Sequence, residues 1–325
     1  MELRTLRSFV AVASAGSISG AAESQHIAQP ALSVQVKQLE QQLGTALFER
    51  HARGVTLTAA GDRFLVHAIG ILRNVDMACE DIRSAVGEPG GRVAIALPQS
   101  VAKFVTVPLV QEVVRRWPKI QLQMVEMSTG YIPDQLVRGQ IDIGVTFGAD
   151  DDVRIQFKHL IDEDLVLVTS TRQLSTLQIP PQAVNQGIAL TSIGSLPVIL
   201  PTTVHSLRRR IQEYLSKENV TLNVIAEVNA IPELIELAVA GVGSTILSYA
   251  AVNEHMASGR LLALQVKDPH MTRSIYSCRS RTLPMSIAAT KVQELLHKTI
   301  GELVARGTWP YSIAARSRML AHTRN

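Results

Sequence analysis

The stretch from Ser17 to Leu43, SISGAAESQHIAQPALSVQVKQLEQQL, constrains this chain more than any other. It reads as two short helices meeting at an angle. Gly20, Ala21 and Ala22 are small enough for the first helix to approach a neighbour closely. Ser17 suits its N-cap, where a hydroxyl accepts an otherwise unpaired backbone N–H. Ile27 is apolar inside a polar connection, as a residue plugging the corner between two helices would be. The second helix opens with Gln29–Pro30, and a proline in the first turn forfeits no hydrogen bond.

The second helix sorts its faces by spacing. Leu32, Val36, Leu39 and Leu43 fall on one stripe at the helical period. The opposite face carries Pro30, Val34, Lys37 and Gln41, flanked by Gln29, Ser33 and Gln38. Amides and hydroxyls there replace the Glu/Lys alternation of a merely solvated helix. Gln and Ser can read base edges in a DNA major groove, and a small apolar side chain can meet a thymine methyl. The same face would also serve any small helical bundle, so the flanks must decide.

Before the pair, Leu6, Phe9, Val10 and Ala13 predict an amphipathic helix that supplies a third wall. After it, ALFER and VTLT bracket His51–Ala52–Arg53–Gly54, a short ribbon with glycine where a turn needs positive φ. The expectation is a winged helix-turn-helix with a basic wing. Arg53 at its tip suits a narrow, negatively charged minor groove, and Arg50 suits phosphate.

LRSFVAVASAGSISGAAE, HIAQPALSVQVKQLEQQLG, LFER and RGVTLTAAG, with the length that follows, make the chain resemble the LysR-type transcriptional regulators. The resemblance covers almost the whole chain and is most specific over residues 3–61. It implies that Gln29, Pro30 and Ser33 contact DNA and that Arg53 enters the minor groove. One position departs: the family usually has arginine where this chain has Val34. The candidate DNA-binding residues are therefore Ser17, Gln29, Pro30, Ser33, Val34, Lys37, Arg50 and Arg53. Within the family, several segments look most like the regulators of nitrogen assimilation, in which an inducer need not be required.

At 325 residues the chain has room for two or three domains. No apolar run approaches the roughly 20 residues that span a bilayer. The start of the chain, with Glu2 and Arg4, lacks a signal core, so the expectation is a cytoplasmic protein. Cys79 and Cys278 form no metal or redox motif. The formal charge of +4 is weak support for nucleic acid, because residues 304–325 carry Arg306, Arg316, Arg318 and Arg324 with no acid. Placement of Arg50, Arg53 and Lys37 argues for DNA; bulk charge does not. Residues 304–325 read as a basic, mobile tail.

From Thr58 as N-cap, one helix is predicted to about Val86. Leu65, Ala68, Leu72, Val75, Cys79 and Ile82 recur at alternating spacings of three and four, a sustained heptad seam. The rod would be about 43 Å long. It reads as a two-chain coiled coil holding two heads apart, or as a helix packed on its own C-terminal domain; the resemblance favours the dimer. Glu88–Pro89–Gly90–Gly91 ends the rod.

Beyond Gly91, short apolar strands alternate with amphipathic helices. Strands are expected at 92–97, 120–126 and 141–146, with helices at 107–116 and 132–138 and Pro108 in a first turn. After a crossing segment at 163–169 the pattern repeats, with strands near 198–200, 222–228 and 244–247 and helices at 205–217 and 231–240. A strand at 273–278 and a helix at 286–305 return to the first unit. Such alternation predicts parallel sheets covered by helices. Two lobes joined by two crossing strands would form a cleft, as in periplasmic-type binding proteins.

Ligands of open α/β sheets sit beyond the carboxyl ends of strands. That rule picks out Pro98–Gln99–Ser100, Ser128–Thr129–Gly130, Phe147–Gly148 and Pro201–Thr202–Thr203. Each leads towards a helix whose N-terminal N–H groups and dipole favour an anion. Hydroxyls and amides cluster there while fixed cations do not, so a small carboxylate or oxyanion is the expected ligand, although Ser and Thr cap helices everywhere. The resemblance implies that Ser100, Thr129 and Thr202 line an effector pocket; Gln99, Phe147 and Pro201 complete the candidate set.

Gly241–Val242–Gly243 follows a helix and precedes a strand, the reverse of a dinucleotide loop. The nine histidines show no metal-ligand spacing, and Asp142 reads as a local backbone anchor. No P-loop, nucleophile elbow or cofactor motif is present. The expected architecture is α/β: a winged helix-turn-helix (1–58), a dimerising linker helix (59–87), a two-lobed periplasmic-binding-protein-like effector domain (88–303; lobe I about 91–161 plus 269–303, lobe II about 162–268) and the tail. The expected partners are double-stranded promoter DNA, RNA polymerase, a small effector and further copies in a dimer or dimer of dimers, with no cofactor and no membrane. The competing class is a small-molecule binding protein or enzyme whose first 60 residues contact protein.

Overall fold

The computed structural model describes residues 1–310 apart from 53, 85–87, 150, 178 and 181. The chain opens with α1 (Leu3–Ala15), α2 (Ile18–Ser24), α3 (Gln29–Leu43) and the ribbon β1 (Phe48–His51) and β2 (Gly54–Leu57). Ser17 caps α2, its hydroxyl accepting from Gly20 N at 3.2 Å. Leu6, Phe9, Leu32, Val36 and Leu39 close one small core with Ala21 and Ala22, as the spacings predict. Val12, outside the predicted stripe, is fully buried with them, and Val10 and Ala13 pack only partly against it. Leu43 does not join the inward stripe. It ends α3 and is 39% exposed, because the core stops one turn earlier.

The ribbon is antiparallel, with His51 opposite Gly54. Gly54 has φ 141°, and a side chain there would collide with the Gly16 carbonyl, to which Val55 N donates at 2.8 Å. Glu40 fixes the ribbon to α3: its Oε1 accepts from Leu47 N at 2.8 Å and from Phe48 N at 3.1 Å. A wing held on both sides is thus pinned to the helix pair.

Thr58 caps α4 (Ala59–Ser84), accepting from Gly61 N at 2.9 Å. The expected seam divides in two. Leu65 and Ala68 are buried in the chain's own head core and Leu72 packs partly against it, because α1 lies along this part of the helix. The seam positions beyond are open: Val75 is half-buried, Cys79 is exposed and Ile82 is 71% exposed. Val86 lies outside the described residues.

The second part of the chain runs β3 (Gly91–Leu97), α5 (Gln99–Arg116), β4 (Ile120–Glu126), α6 (Ile132–Val137), β5 (Ile143–Phe147) and β6 (Ile155–Ser170). There follow α7 (Gln173–Thr176), α8 (Ala183–Gln186), β7 (Ile188–Ala189), α9 (Leu190–Ile193), β8 (Pro197–Leu200), α10 (Ser206–Lys217), β9 (Asn223–Glu227) and α11 (Ile231–Val239). The last are β10 (Thr245–Ser248), α12 (Tyr249–Ala257), β11 (Leu261–Lys267), β12 (Thr272–Ser280) and α13 (Ile287–Ala305). The main sheet has the order β4-β3-β5-β12-β6-β11-β7, with β10 also on β6.

Long strand β6 belongs to both lobes. Its first part pairs with β12 and its last part with β11 and β10, so the chain crosses between lobes on β6 and again between β11 and β12. Each lobe has its own core, one around Val93, Ile95, Val105 and Leu296, the other around Leu167, Ile199, Ile211 and Leu264. The sheets are mixed rather than parallel: β3 is parallel to β4 and β5, whereas β12 and β11 run antiparallel to β6.

Two further expectations change. Helix α5 begins at Gln99 straight after β3, which puts Pro108 in its interior. The stripe Val101, Val105, Leu109 and Val113 is buried, and that packing outweighs the hydrogen bond a mid-helix proline forfeits. The tail is not loose from residue 304: α13 continues to Ala305 and Trp309 is fully buried in the lobe I core. The rest of the tail, 311–325, lies outside the described residues.

Asp142 anchors backbone as expected, its Oδ2 accepting from Ala94 N at 2.8 Å, and it does more. Its Oδ1 pairs at 3.0 Å with Arg73 of α4, which also donates to the Gly139 carbonyl at 2.8 Å. Leu283, just before α13, reaches the head core beside Ile69. The linker is therefore seated on lobe I by an ion pair and an apolar patch.

Under the other side of lobe I, His297 of α13 shares a 2.7 Å bond with Ser277 Oγ, and Lys158 Nζ lies 3.2 Å from its other nitrogen. Burial first, then the Lys158 charge, lowers its pKa to about 4. The neutral ring is the folded form, so its contribution is complete above the unfolded value of 6.5 and is lost as pH falls toward 4. Allowing for partial exposure, the loss is about 1–2 kcal/mol. Urea midpoints should fall between pH 7.5 and 5 in the native chain and fall less in His297→Gln.

Candidate nucleic-acid interface and ligand cleft

The head presents one polar surface. Gln29, Pro30 and Lys37 are exposed on α3, Val34 is 54% exposed among them, and Ser33 is half-buried. The N-cap of α3 is Ala28, which supplies no side-chain acceptor. Pro30 has no N–H and Ala31 N donates to the Ala28 carbonyl at 3.0 Å, so of the first-turn amides it is that of Gln29 that can serve an outside acceptor such as a phosphate. Arg50 is exposed on β1. Ser17 is half-buried and spends its hydroxyl on the α2 cap, and Arg53 lies outside the described residues.

Between the lobes lies a cavity of about 550 Å³. Lobe I contributes Thr129, Thr146, Phe147 and Gly148; lobe II contributes Ser206, Arg209, Arg210 and Glu213 from α10; Arg273 and Tyr276 come from crossing strand β12. Thr129 Oγ1 donates to Ser206 Oγ at 2.9 Å, a bond between lobes. On another face Lys103 of α5 pairs with Glu254 of α12 at 3.0 Å. Arg210 is held at the cavity wall by the Thr272 carbonyl at 2.9 Å and by Glu213 at 2.6 Å. Burial, then the charges of Arg273 and Arg209, holds His205 below its ordinary range. Neutral, its Nδ1 caps α10 by accepting from Leu207 N at 3.2 Å.

Of the six candidate effector residues, Thr129 and Phe147 line this cavity. Ser100 touches its edge through Arg273, whose Nη2 donates to Ser100 Oγ at 3.1 Å. Gln99 is exposed at the start of α5, and Pro201 is buried. Thr202 is engaged elsewhere, its N and Oγ1 both donating to Asn229 Oδ1 at 2.9 Å.

The expectation that fixed cations avoid the cleft is corrected: Arg209, Arg210 and Arg273 all border it. Two signals for them stand in the sequence. Arg208–Arg209–Arg210 open a predicted helix at the end where a cation is disfavoured, which packing alone does not require. Glu163 and Arg273 begin the two segments expected to cross between lobes, opposite charges placed to face one another.

A winged helix with a polar outer helix, carried on a rod that seats on a two-lobed α/β domain with a cleft, defines a transcription regulator built from a DNA-binding head and an effector-binding body. Residues 3–62 match the family description "Bacterial regulatory helix-turn-helix protein, lysR family", and residues 87–300 match "LysR substrate binding domain". The chain belongs to the LysR family of DNA-binding transcription regulators. It is 33% identical over 301 residues to the nitrogen assimilation regulatory protein Nac of Klebsiella aerogenes, covering 91% of this chain and 94% of that protein. A full-length OxyR variant from Pseudomonas aeruginosa has the same fold, with TM-score 0.71, 22% identity and coverage of 92% of this chain and 97% of that one. CbnR in complex with its target DNA matches with TM-score 0.52, 22% identity and coverage of 92% and 100%. No helix among the described residues is long and apolar enough to cross a membrane.

Proposed function

We propose that the chain reads promoter DNA with Gln29, Pro30, Ser33, Val34 and Lys37 in the major groove, Arg50 on phosphate and Arg53 in the minor groove. It acts as a dimer or dimer of dimers in the cytoplasm, works with RNA polymerase, and is not an enzyme. The observation that carries this reading is the sorting of α3: Leu32, Val36 and Leu39 lock inward while its other face is bare. CbnR seated on its target DNA supports the same use of the fold here. The exposed end of α4, with Cys79 and Ile82, supports pairing of rods. Paired heads require two half-sites on one face of the duplex. A gel shift on the DNA upstream of the gene should show saturable, salt-sensitive binding to one site; absence of binding to every neighbouring promoter would favour the protein-contact reading of residues 1–60.

The body senses a small, polar, anionic ligand in the interlobe cavity. Arg209 and Arg210 on one wall and hydroxyls of Thr129 and Thr146 on the other support this. Ligand contacts to both lobes fix their spacing, and a ligand moves the heads only by favouring one assembly geometry over another. Arg209→Ala, which removes an exposed wall cation, should weaken anion binding about fivefold to thirtyfold, read as the loss of thermal stabilisation by added anion. Equal stabilisation of both proteins would place the ligand elsewhere.

A further inference from the structure

Beside the cavity sits a buried ion pair that ligand contact alone does not explain. Glu163 is 0% and Arg273 6% exposed, and they face one another on β6 and β12 where the chain crosses between lobes. Arg273 directs Nε and Nη2 at the same carboxylate oxygen, Oε2, at 2.9 and 2.7 Å. The other oxygen, Oε1, accepts the indole N–H of Trp309 at 2.8 Å. The Trp309 ring stacks on Phe104 of α5, with centroids 5.3 Å apart and planes at 16°.

An arginine and a carboxylate favour a two-pronged pairing in which each oxygen takes one N–H. Here the indole holds Oε1, and the fork sits to one side. The consequence is visible at the nitrogen that the carboxylate shares with a second partner. Nη2 also reaches Ser100 Oγ at 3.1 Å, and the central carbon of the guanidinium lies 3.6 Å from the Phe147 ring centre, on the cavity wall. Four pieces of chain meet at this group: β6, β12, the first turn of α5, and the segment beyond α13.

We propose that Trp309 is a positioning residue for the cleft: by occupying Glu163 Oε1 it keeps Arg273 turned toward Ser100 and the cavity. Removing the indole N–H leaves a buried carboxylate oxygen unpaired, and rotation of the Arg273 fork onto it restores the bond at the expense of Ser100. The segment after α13 thus sets the charge that the cavity presents. The ligand arm of the test rests on the anion-sensing reading above; the other arm does not.

Trp309→Phe keeps the ring on Phe104 and deletes only the donor. Urea midpoints of the full chain are measured for Trp309→Phe, Ser100→Ala and the double variant. With the fork already withdrawn, Ser100→Ala should shift the midpoint less than half as far in the Trp309→Phe background as in the native one. Additive shifts overturn the proposal, since a merely structural tryptophan would not couple to Ser100. In the second arm, inorganic phosphate and succinate are titrated into native and Trp309→Phe protein. Affinity should fall roughly fivefold or more; equal affinity overturns the proposal. If neither probe binds the native chain, the anion reading fails for them, and the urea cycle still decides the role of Trp309. Should Trp309→Phe not fold, Trp117→Phe leaves Trp309 as the single tryptophan. Ser100→Ala must then shift its emission, and an unmoved spectrum overturns the proposal.

Discussion

Val34→Arg should tighten binding to DNA about fivefold to thirtyfold at low salt and steepen the log–log salt dependence by about 0.9 per added phosphate contact. The side chain at 34 is 54% exposed at the centre of the outer face of α3, between exposed Pro30 and exposed Lys37. Two effects compete. The exchange forfeits any apolar contact of valine with a thymine methyl, worth well under the roughly 1–3 kcal/mol of a good bidentate base contact. It adds a guanidinium on a long stem that can reach a phosphate, worth about 1.5–3 kcal/mol as a charged hydrogen bond. The second term is larger, so affinity rises while discrimination at the base facing residue 34 relaxes. Anisotropy titrations across a range of salt concentrations, on the upstream duplex and on a scrambled one, separate the two terms. An unchanged slope would mean that residue 34 does not face the backbone of the duplex.

The head was the most legible part of the sequence because its signals are local. A cap at Ser17, a stripe at Leu32, Val36 and Leu39 and a glycine at the ribbon each act within a few residues, and all appear where spacing predicts them. The end of the stripe was not legible. Whether Leu43 is covered depends on how far α1 and α4 extend over α3, and no local pattern records that. The same reason hides the division of the rod. Leu65 and Ile82 look alike as heptad positions, yet one lies under the head and the other beyond it.

The cleft was half legible. Loops after strands could be found by the carboxyl-end rule, and Thr129 and Phe147 do line the cavity. The cations could not be placed that way, because Arg273 enters from the beginning of a crossing strand and Arg209 and Arg210 from inside a helix. Their grouping depends on the register of β12 against β6, which sets Arg273 opposite Glu163. The link from α3 to the ribbon is similarly silent in sequence, although Glu40 closes it with two hydrogen bonds to Leu47 and Phe48. Short elements such as α7, α8 and α9 lack the length for a period to show.

A second large effect is expected where the rod meets lobe I. Gly139 has φ +64°, and a Cβ there would stand 2.7 Å from Ile69 Cγ2 and 3.2 Å from both Arg73 Nε and Leu283 Cδ1. Valine at this position carries the left-handed backbone penalty of about 1–2 kcal/mol and cannot fit without lifting α4. Lifting α4 parts Arg73 from Asp142 and from the Gly139 carbonyl and uncovers Leu283. Together these losses come to about 3–5 kcal/mol, concentrated at one interface rather than spread through either core. Gly139→Val should therefore split urea unfolding into two transitions, the head with its rod and the body each melting alone. Protease cleavage near Glu88 should also accelerate at least tenfold, since local opening governs cutting. Arg73→Ala removes the ion pair and keeps the close packing, so it should lower the midpoint by a smaller amount and leave one transition. If Gly139→Val still unfolds in one step at the native midpoint, the rod is not seated on lobe I. A signal from the cleft would then have no rigid path to the heads through this contact.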